Sequence, residues 1–413
     1  MGKLAMTGGR PTRTKPFHAW PEYGAKEAKA LAGTLESGEW GGYPSPNVEA
    51  DRFARAFAAY SGAAHGICAV NGTVTLEIAL RAAGVKAGDE VIVTPYSWIA
   101  TAAAPVYINA VPVFADVSPH TYCLDAKRVE EAITPRTRAI IPVHLGCRMA
   151  DMDALMRVAK KHDLVVIEDC AHMHGGRWKD KGAGAIGHLG SFSFQSSKLL
   201  TAGEGGMILT NDDDLAERCH SLVNCGRKED GYNSFAGDLF GWNYRIGEFQ
   251  AALLSAQLER LPKQTSRREA NVAHLEALLA DVKGLRPLKR DKRYTQMGCY
   301  QYILRYDSRR FKGVHRDQFV QALEAEGIAC DGYFYIPIYE SNLFPLRAGD
   351  YPQCRKRYGA TLDPKKISCP VTENAAMNEA IWFHHPLFLG TKKDTEDIAR
   401  AIKKIAKNID ELL

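Results

Sequence analysis

Strand-sized apolar segments alternate with amphipathic helical segments from Gly72 to Val223, and no other feature of the sequence constrains the fold as strongly. The apolar segments are almost continuously hydrophobic, which is typical of strands covered on both faces of a parallel sheet. We therefore predict an α/β fold in which a mostly parallel sheet lies between helices. In such a sheet, ligands bind at the carboxyl ends of the strands.

Hydrophobic periodicity and turn residues assign the individual elements of this region. The predicted strands are Glu90–Thr94, Val111–Ala115, Arg138–His144, Leu164–Glu168, Gly190–Phe194 and Gly206–Thr210. The predicted helices of the region are Thr73–Ala83, Trp98–Val106, Ala126–Ile133, Met152–Lys161 and Asp213–Val223, and a further helix, Ala25–Leu35, is predicted before it.

A second unit follows the sheet. The helical stretch Glu248–Leu279, with a break expected at Pro262, leads into it. Strand Tyr300–Tyr306 and helices Arg316–Glu326 and Thr395–Leu412 are typical of a smaller α+β domain.

The opening of the chain differs from both units. Met1–Lys15 is polar and contains glycine and proline, which favours a loose arm. We predict an N-terminal arm over 1–24, a large domain over 25–265 and a smaller C-terminal domain over 266–413.

Charge and cysteine content argue against several classes of protein. The 53 basic and 48 acidic residues leave a net charge of +5 without a basic run, so we expect no nucleic-acid partner. No apolar run approaches the roughly 20 residues of a membrane-spanning helix, so we expect no membrane partner. The ten cysteines form no C-x-x-C pair and no apolar leader is present, which predicts free thiols and a cytoplasmic protein.

Asn71-Gly72-Thr73-Val74 forms a turn that leads into the first helix of the alternating region. Free amide groups and the positive end of the helix dipole can cradle a phosphate there, with the Thr73 hydroxyl as an additional donor. On its own, the turn also fits an ordinary helix N-cap.

Asp169 closes a very apolar strand in the run Ile167-Glu168-Asp169-Cys170-Ala171-His172. A carboxylate in this place can keep a pyridine nitrogen protonated, which makes pyridoxal 5'-phosphate (PLP) an electron sink. It can also cap the following segment. His172 fits two roles, since it could bond the phenolate of such a cofactor or face solvent.

Lys198 lies just beyond another predicted strand, after small hydroxyl residues and before the run Gly203-Glu204-Gly205-Gly206. A lysine in this place can form an imine with an aldehyde. One strand-loop-strand excursion separates it from Asp169, which would bring both side chains to the same edge of the sheet. A single lysine is usually a solvated surface charge, so the neighbouring motifs carry the interpretation.

These motifs together resemble the DegT/StrS-type aminotransferases, a branch of the fold-type-I PLP enzymes that aminates sugars and cyclitols. The resemblance runs from Trp40-Gly41-Gly42 through the three motifs to Asn243-Tyr244-Arg245, followed by Glu248 and Gln250-Ala251-Ala252. It covers nearly the whole chain. It implies a large domain with a mostly parallel sheet of the seven-stranded type, and a smaller C-terminal α+β domain.

The resemblance implies that Lys198 holds PLP as a Schiff base, that Asp169 pairs with the pyridine nitrogen and that Trp98 lies against the ring. Taken alone, Trp98 also fits a core aromatic residue. The phosphate would be held at Gly72, Thr73, the Val74 N–H and Ser193. Asn243 would reach the phosphate of a neighbouring subunit, which implies a homodimer, although alone it fits a turn residue.

The expected activity is transfer of an amino group from L-glutamine or L-glutamate, with Lys198 as both anchor and base. Related dehydratases commonly carry histidine at the lysine position, so Lys198 favours amination. The run Phe194–Glu204 looks closest to scyllo-inosose-type cyclitol aminotransferases and is similar in 3-amino-5-hydroxybenzoate synthases. We rank a keto-cyclitol of aminoglycoside-type biosynthesis first as acceptor, a nucleotide-linked ketosugar second and an aromatising synthesis third.

Two departures from the family pattern concern the acceptor pocket. Nucleotide-sugar members often show Tyr-x-x-Pro-Leu-His where this chain has Tyr335-Ile336-Pro337-Ile338-Tyr339, and Asn-His-Gly where it has Asn224-Cys225-Gly226. His384 and His385 could reach the substrate or be a satisfied pair. Adjacent strand residues point to opposite faces, so at most one should face the site and we expect no metal there.

Functions from other classes remain as alternatives. The fold could bind PLP without catalysis and act as a regulator. A Rossmann-type nucleotide binder lacks support because no G-x-G-x-x-G joins the first strand and helix. A cysteine nucleophile would be Cys170 or Cys147, although thiols beside strands usually serve packing.

Overall fold

A computed structural model gives the fold of residues 3–42, 47–227, 239–347, 349–359 and 362–413. Among these residues, no helix is both long and apolar enough to cross a membrane. Its α-helices are α1 Ala25–Ser37, α2 Val48–Ser61, α3 Gly72–Ala82, α4 Ala100–Tyr107, α5 Ala126–Ala132, α6 Met152–His162, α7 Asp213–Val223, α8 Glu248–Leu258, α9 Leu261–Leu278, α10 Arg316–Ala325, α11 Arg355–Tyr358, α12 Pro370–Asn374 and α13 Lys392–Lys407. Its strands are β1 His65–Ala69, β2 Glu90–Val93, β3 Val111–Phe114, β4 Thr137–Ile141, β5 Val165–Asp169, β6 Arg177–Trp178, β7 Lys181–Gly182, β8 Leu189–Ser193, β9 Gly206–Thr210, β10 Leu285–Pro287, β11 Tyr294–Gln296, β12 Gln301–Tyr306 and β13 Ala380–His384.

A seven-stranded sheet in the order β1-β9-β8-β5-β4-β2-β3 forms the centre of the fold. The pairs from β8 through β5, β4 and β2 to β3 are parallel, whereas β9 runs antiparallel to both β8 and β1. The predicted α/β class and the mostly parallel seven-stranded sheet are therefore confirmed.

Residues alternate along each central strand between two apolar cores. In β2, Ile92 packs into one core while Val91 and Val93 pack into the other. In β5, Val166 and Ile167 divide in the same way. Because both faces of the sheet are covered, both sets of side chains must be apolar, which explains the continuous hydrophobicity of the strands.

The second unit contains the antiparallel sheet β10-β12-β13, and α9 packs against α13 beside it. The expected helix break at Pro262 is wrong by a few residues. The break lies at Glu259 and Arg260, and Pro262 occupies the first turn of α9, where a missing N–H leaves no hydrogen bond unmade. The domain boundary at 265 stays a prediction.

The expectation of a loose segment over Met1–Lys15 is wrong for residues 3–15. Met1 and Gly2 lie outside the described residues. Leu4 is fully buried, and Glu326 accepts hydrogen bonds from the N–H groups of Ala5 and Thr12 at 2.9 and 2.8 Å. Arg13 pairs with Asp397 at 2.8 Å. The segment is thus fastened to α10 and α13 by buried polar contacts.

Candidate active site

A cavity of about 560 Å³ opens at the edge of the large sheet where β5 and β8 end. This volume is typical of small-molecule sites. Most residues proposed from the sequence line it, namely Gly72, Thr73, Trp98, Asp169, His172, Ser193 and Lys198. The cavity also contains Tyr300 and Phe334, which sequence reasoning did not assign to the site, and Tyr335, which it named only as part of a departure in the acceptor pocket.

Lys198 follows the turn after β8, and its N–H donates to the Gln195 carbonyl at 2.8 Å. Its Nζ lies 4.4 Å from the centroid of the Tyr300 ring. Burial lowers the pKa of Lys198 to about 8, although the charge of Asp169 opposes the shift. Near neutral pH this amine is therefore uncharged far more often than a surface lysine, as a nucleophile requires.

Asp169 is the last residue of β5 and is buried. Its carboxylate accepts hydrogen bonds from the Thr101 hydroxyl at 2.8 Å and from the Ala171 N–H at 3.2 Å. Burial raises the pKa of Asp169, whereas the Thr101 hydrogen bond and the charge of Lys198 lower it. The carboxylate thus makes the local contact expected of a strand-end aspartate and also lines the cavity.

The neighbouring carboxylate of Glu168 holds the end of β5 in place. It is fully buried and accepts three backbone N–H groups of the segment 184–187. It also lies 2.8 Å from Nε2 of His144, whose Nδ1 accepts the Ala150 N–H. The backbone N–H of His144 donates to the Asp169 carbonyl, so this network fixes the backbone at Asp169.

Asn71 caps α3, because its Oδ1 accepts the N–H groups of Thr73 and Val74, both at 3.0 Å. The Val74 amide is therefore engaged within the cap and is not brought to the cavity. Gly72 allows α3 to approach β8, since a Cβ there would lie 2.6 Å from the Ser193 Cβ. The turn is an N-cap, and it still places Thr73 and Ser193 together at the cavity wall.

His172 is buried, so the alternative in which it faces solvent is wrong. Its Nδ1 accepts the Gly146 N–H at 3.2 Å, and its Nε2 lies 3.0 Å from the Tyr335 hydroxyl. Its ring also packs on Tyr300, with centroids 4.4 Å apart. Burial and the charge of Lys198 hold the pKa of His172 well below its ordinary value, so the ring is neutral.

Residues distant in the sequence hold the segment just before Lys198. The Trp20 Nε1–H donates to the Ser196 carbonyl, and His385 Nε2 lies 3.0 Å from the Ser197 carbonyl. The Ser197 hydroxyl lies 2.7 Å from the Tyr300 hydroxyl. Trp20 of the N-terminal segment, the residue before β12 and the residue after β13 therefore all contribute to positioning the lysine.

His384 and His385 are both satisfied, and among the described residues neither lines the cavity. His385 is buried, and its Nδ1 accepts from Arg268 at 3.1 Å. His384 is more exposed and lies between Gln301 and Asp331. The satisfied-pair interpretation describes them better than substrate binding.

Trp98 and Asn243 are the most exposed of the proposed residues. Trp98 lines the cavity with half of its surface exposed. Asn243 is exposed and is not among the residues that line the described cavity. Its side chain accepts the Arg245 N–H at 3.4 Å.

Cys170 and Cys147 are buried, and burial raises the pKa of both thiols, as expected of packing residues and not of nucleophiles.

Several known proteins are similar to this chain over almost its whole length. A putative L-glutamine:3-amino-2,3-dideoxy-scyllo-inosose aminotransferase of Streptoalloteichus tenebrarius is 47% identical over 99% of this chain and 99% of its own. An L-glutamine:2-deoxy-scyllo-inosose aminotransferase of Streptomyces lividus is 40% identical over 98% of both chains.

Similarity to a solved structure extends to the fold. The crystal structure of 3-amino-5-hydroxybenzoic acid synthase superposes with a TM-score of 0.82 at 33% identity, covering 96% of this chain and 100% of the other. Residues 21–388 match the sequence model of a single family. The chain therefore belongs to the DegT/DnrJ/EryC1/StrS aminotransferase family and is an aminotransferase.

Proposed function

We propose that this aminotransferase moves the amino group of L-glutamine to a keto-cyclitol of the scyllo-inosose type, with PLP as cofactor, in aminocyclitol biosynthesis. The observation that carries the proposal is the 47% identity over 99% of the chain with a relative named for this donor and acceptor class. The relative at 40% identity carries a name of the same class. Lys198 and Asp169 line one cavity, as the reaction requires.

The cavity residues fit PLP by their chemistry. PLP needs an amine for its aldehyde, an anion for its pyridine nitrogen and donors for its phosphate. Lys198 supplies a buried amine whose pKa is lowered to about 8, and Asp169 supplies a buried carboxylate. Thr73 and Ser193 supply hydroxyl groups beside Gly72, whose missing Cβ leaves the close approach open.

Each residue then has a task in the reaction. When bound, PLP withdraws electrons from the carbon that carries the amino group. Lys198 would hold the cofactor, and its amine would serve as the base that takes a proton from Cα of the amino donor. Asp169 would keep the pyridine nitrogen protonated, and Trp98, which lines the cavity, would lie against the ring.

Assembly and location complete the proposal. We propose a homodimer in which Asn243 reaches the phosphate of the neighbouring subunit, because Asn243 is exposed and does not line the described cavity of its own chain. Val74 would join the phosphate contacts only if its N–H were released from Asn71. We also propose that the protein works in the cytoplasm, since all ten cysteines are free thiols.

A two-stage assay tests the proposed function. The PLP-loaded protein is mixed with L-glutamine or L-glutamate, and release of the corresponding 2-oxo acid is measured before any acceptor is added. Addition of 2-deoxy-scyllo-inosose or its 3-amino derivative should then yield the aminated cyclitol. If nucleotide-linked ketosugars are aminated and the cyclitols are not, the proposed acceptor is wrong.

A further inference from the structure

Tyr335 faces the cavity from the second unit of the fold, across from the sheet edge that carries Lys198 and Asp169. It follows β12 in the chain and lies in an irregular segment between α10 and β13. Its hydroxyl is 3.0 Å from Nε2 of His172, and the planes of the two rings are almost parallel, with an interplanar angle of 1°. The hydroxyl is therefore held in a defined place in the cavity wall.

The hydrogen bonds of His172 decide which atom donates to which. The Gly146 N–H points at Nδ1 of His172, so Nδ1 is an acceptor without a proton. Because the ring is buried and neutral, its proton must be on Nε2. Nε2–H therefore donates to the Tyr335 oxygen, and the phenolic proton of Tyr335 is left to donate elsewhere.

Within the described residues, the Tyr335 hydroxyl donates no hydrogen bond to protein. We infer that Tyr335 is a specificity-determining residue whose hydroxyl donates a hydrogen bond to an uncharged oxygen, a hydroxyl or keto oxygen, of the acceptor polyol. This inference rests on the proposed function for the class of acceptor. It adds a contact from the second unit to the residues Lys198 and Asp169 at the edge of the large sheet.

Three features favour an uncharged oxygen as the partner. Burial raises the pKa of Tyr335 well above its ordinary value, so the phenol remains protonated over the working range of pH. Asp169 is one of the charges near Tyr335, and it disfavours a second anion there. Phe334 beside Tyr335 adds an apolar wall to the cavity, which suits the carbon face of a cyclitol ring.

Tyr335→Phe removes the donor and keeps the ring beside His172. A matched control is Tyr306→Phe, because Tyr306 is a buried tyrosine of the second unit whose hydroxyl donates to the Val314 carbonyl at 2.8 Å and which does not line the described cavity. Both half-reactions are measured separately in PLP-loaded protein. Binding of scyllo-inositol, which has the ring hydroxyls without the keto group, is measured by calorimetry in parallel.

For Tyr335→Phe we expect an unchanged rate of 2-oxo acid release from L-glutamine. We expect KM for the keto-cyclitol and Kd for scyllo-inositol to rise about three- to tenfold, the usual effect of losing one hydrogen bond to a ligand. Tyr306→Phe should leave all three values within about twofold. Unchanged KM and Kd in Tyr335→Phe would overturn the inference, and so would an equal loss in both half-reactions, since that places the contact at the cofactor.

Failure of the proposed function gives a different result. In that case the wild-type protein aminates no keto-cyclitol, although it still releases the 2-oxo acid from the donor. The comparison of Tyr335→Phe with the wild type is then made with a nucleotide-linked ketosugar. A rise in KM for that acceptor supports the Tyr335 contact, and an unchanged KM overturns it.

Discussion

Nε2 of the buried His385 donates a hydrogen bond at 3.0 Å to the carbonyl oxygen of Ser197, the residue that precedes Lys198. The proton is assigned to Nε2 because Nδ1 accepts from Arg268. Arg268 is itself fully buried, and burial lowers its pKa to about 9. A chain of two hydrogen bonds thus joins α9 to the segment just before Lys198.

His385→Phe should destabilise the protein by about 2–4 kcal/mol, chiefly because it leaves the buried Arg268 guanidinium without its hydrogen-bond partner, and it also frees the Ser197 carbonyl. Denaturant unfolding measures the change. His384→Phe is the control, since His384 has 38% of its side chain exposed and its loss should cost about 1 kcal/mol or less. Equal effects for the two variants would show that the buried chain of hydrogen bonds does not stabilise the fold.

The lowered pKa of Lys198 predicts how PLP capture depends on pH. Only the neutral amine attacks an aldehyde, so the capture rate should rise with pH and level off above about 8, well below the ordinary lysine value of 10.5. Borohydride reduction followed by mass spectrometry measures the covalent adduct. Lys198→Ala should form no adduct at this position.

Asp169→Asn should move the midpoint of that pH profile to lower values. The charge of Asp169 favours the ammonium form of Lys198, so its removal leaves burial unopposed and lowers the lysine pKa further. The same adduct measurement reports the midpoint. A midpoint at or above the wild-type value would contradict the assigned coupling between the two groups.

Gly72→Ala should weaken both the fold and the site. The new Cβ would lie 2.6 Å from the Ser193 Cβ, so α3 or β8 must move, which costs about 1–3 kcal/mol in well-packed proteins. Unfolding curves and the dissociation constant of PLP measure the two effects. Gly33→Ala in α1 is the matched control, because its Cβ meets open space and should leave PLP affinity unchanged.

Glu326→Ala should destabilise the protein by about 3–5 kcal/mol, because it leaves the Lys404 ammonium without its buried partner. It also removes the acceptor for the N–H groups of Ala5 and Thr12. Limited proteolysis should then cleave the first residues faster. Glu324→Ala, two positions earlier and exposed, should change neither measurement.

Elements of the large sheet were predictable because their signal is local. The apolar runs ended in turn residues, and β9 and α7 begin and end at the predicted residues. Among the elements that were not predicted, α2 is alanine-rich with few large apolar residues, and β1 contains both histidine and glycine. Residues 3–15 looked loose because their partners lie more than 300 positions away.

The same distinction applies to the site. Lys198 and Asp169 follow apolar strands, so their place at one sheet edge could be inferred from the topology. Tyr300, Tyr335 and Arg268 lie in a different unit, and no periodic pattern connects them with Lys198. The departure at Tyr335-Ile336-Pro337 was the available signal for the acceptor side of the cavity.

The hydrogen bond between His385 and Ser197 also determines when, during synthesis of the chain, the segment before Lys198 can be fixed in place. The ribosome adds Lys198 near the middle of the chain. It adds His385, whose imidazole bonds the Ser197 carbonyl, almost two hundred codons later. Nascent chains that already carry the lysine therefore lack the contacts that position it. The proposed PLP site can therefore be complete only after nearly the whole chain has been made.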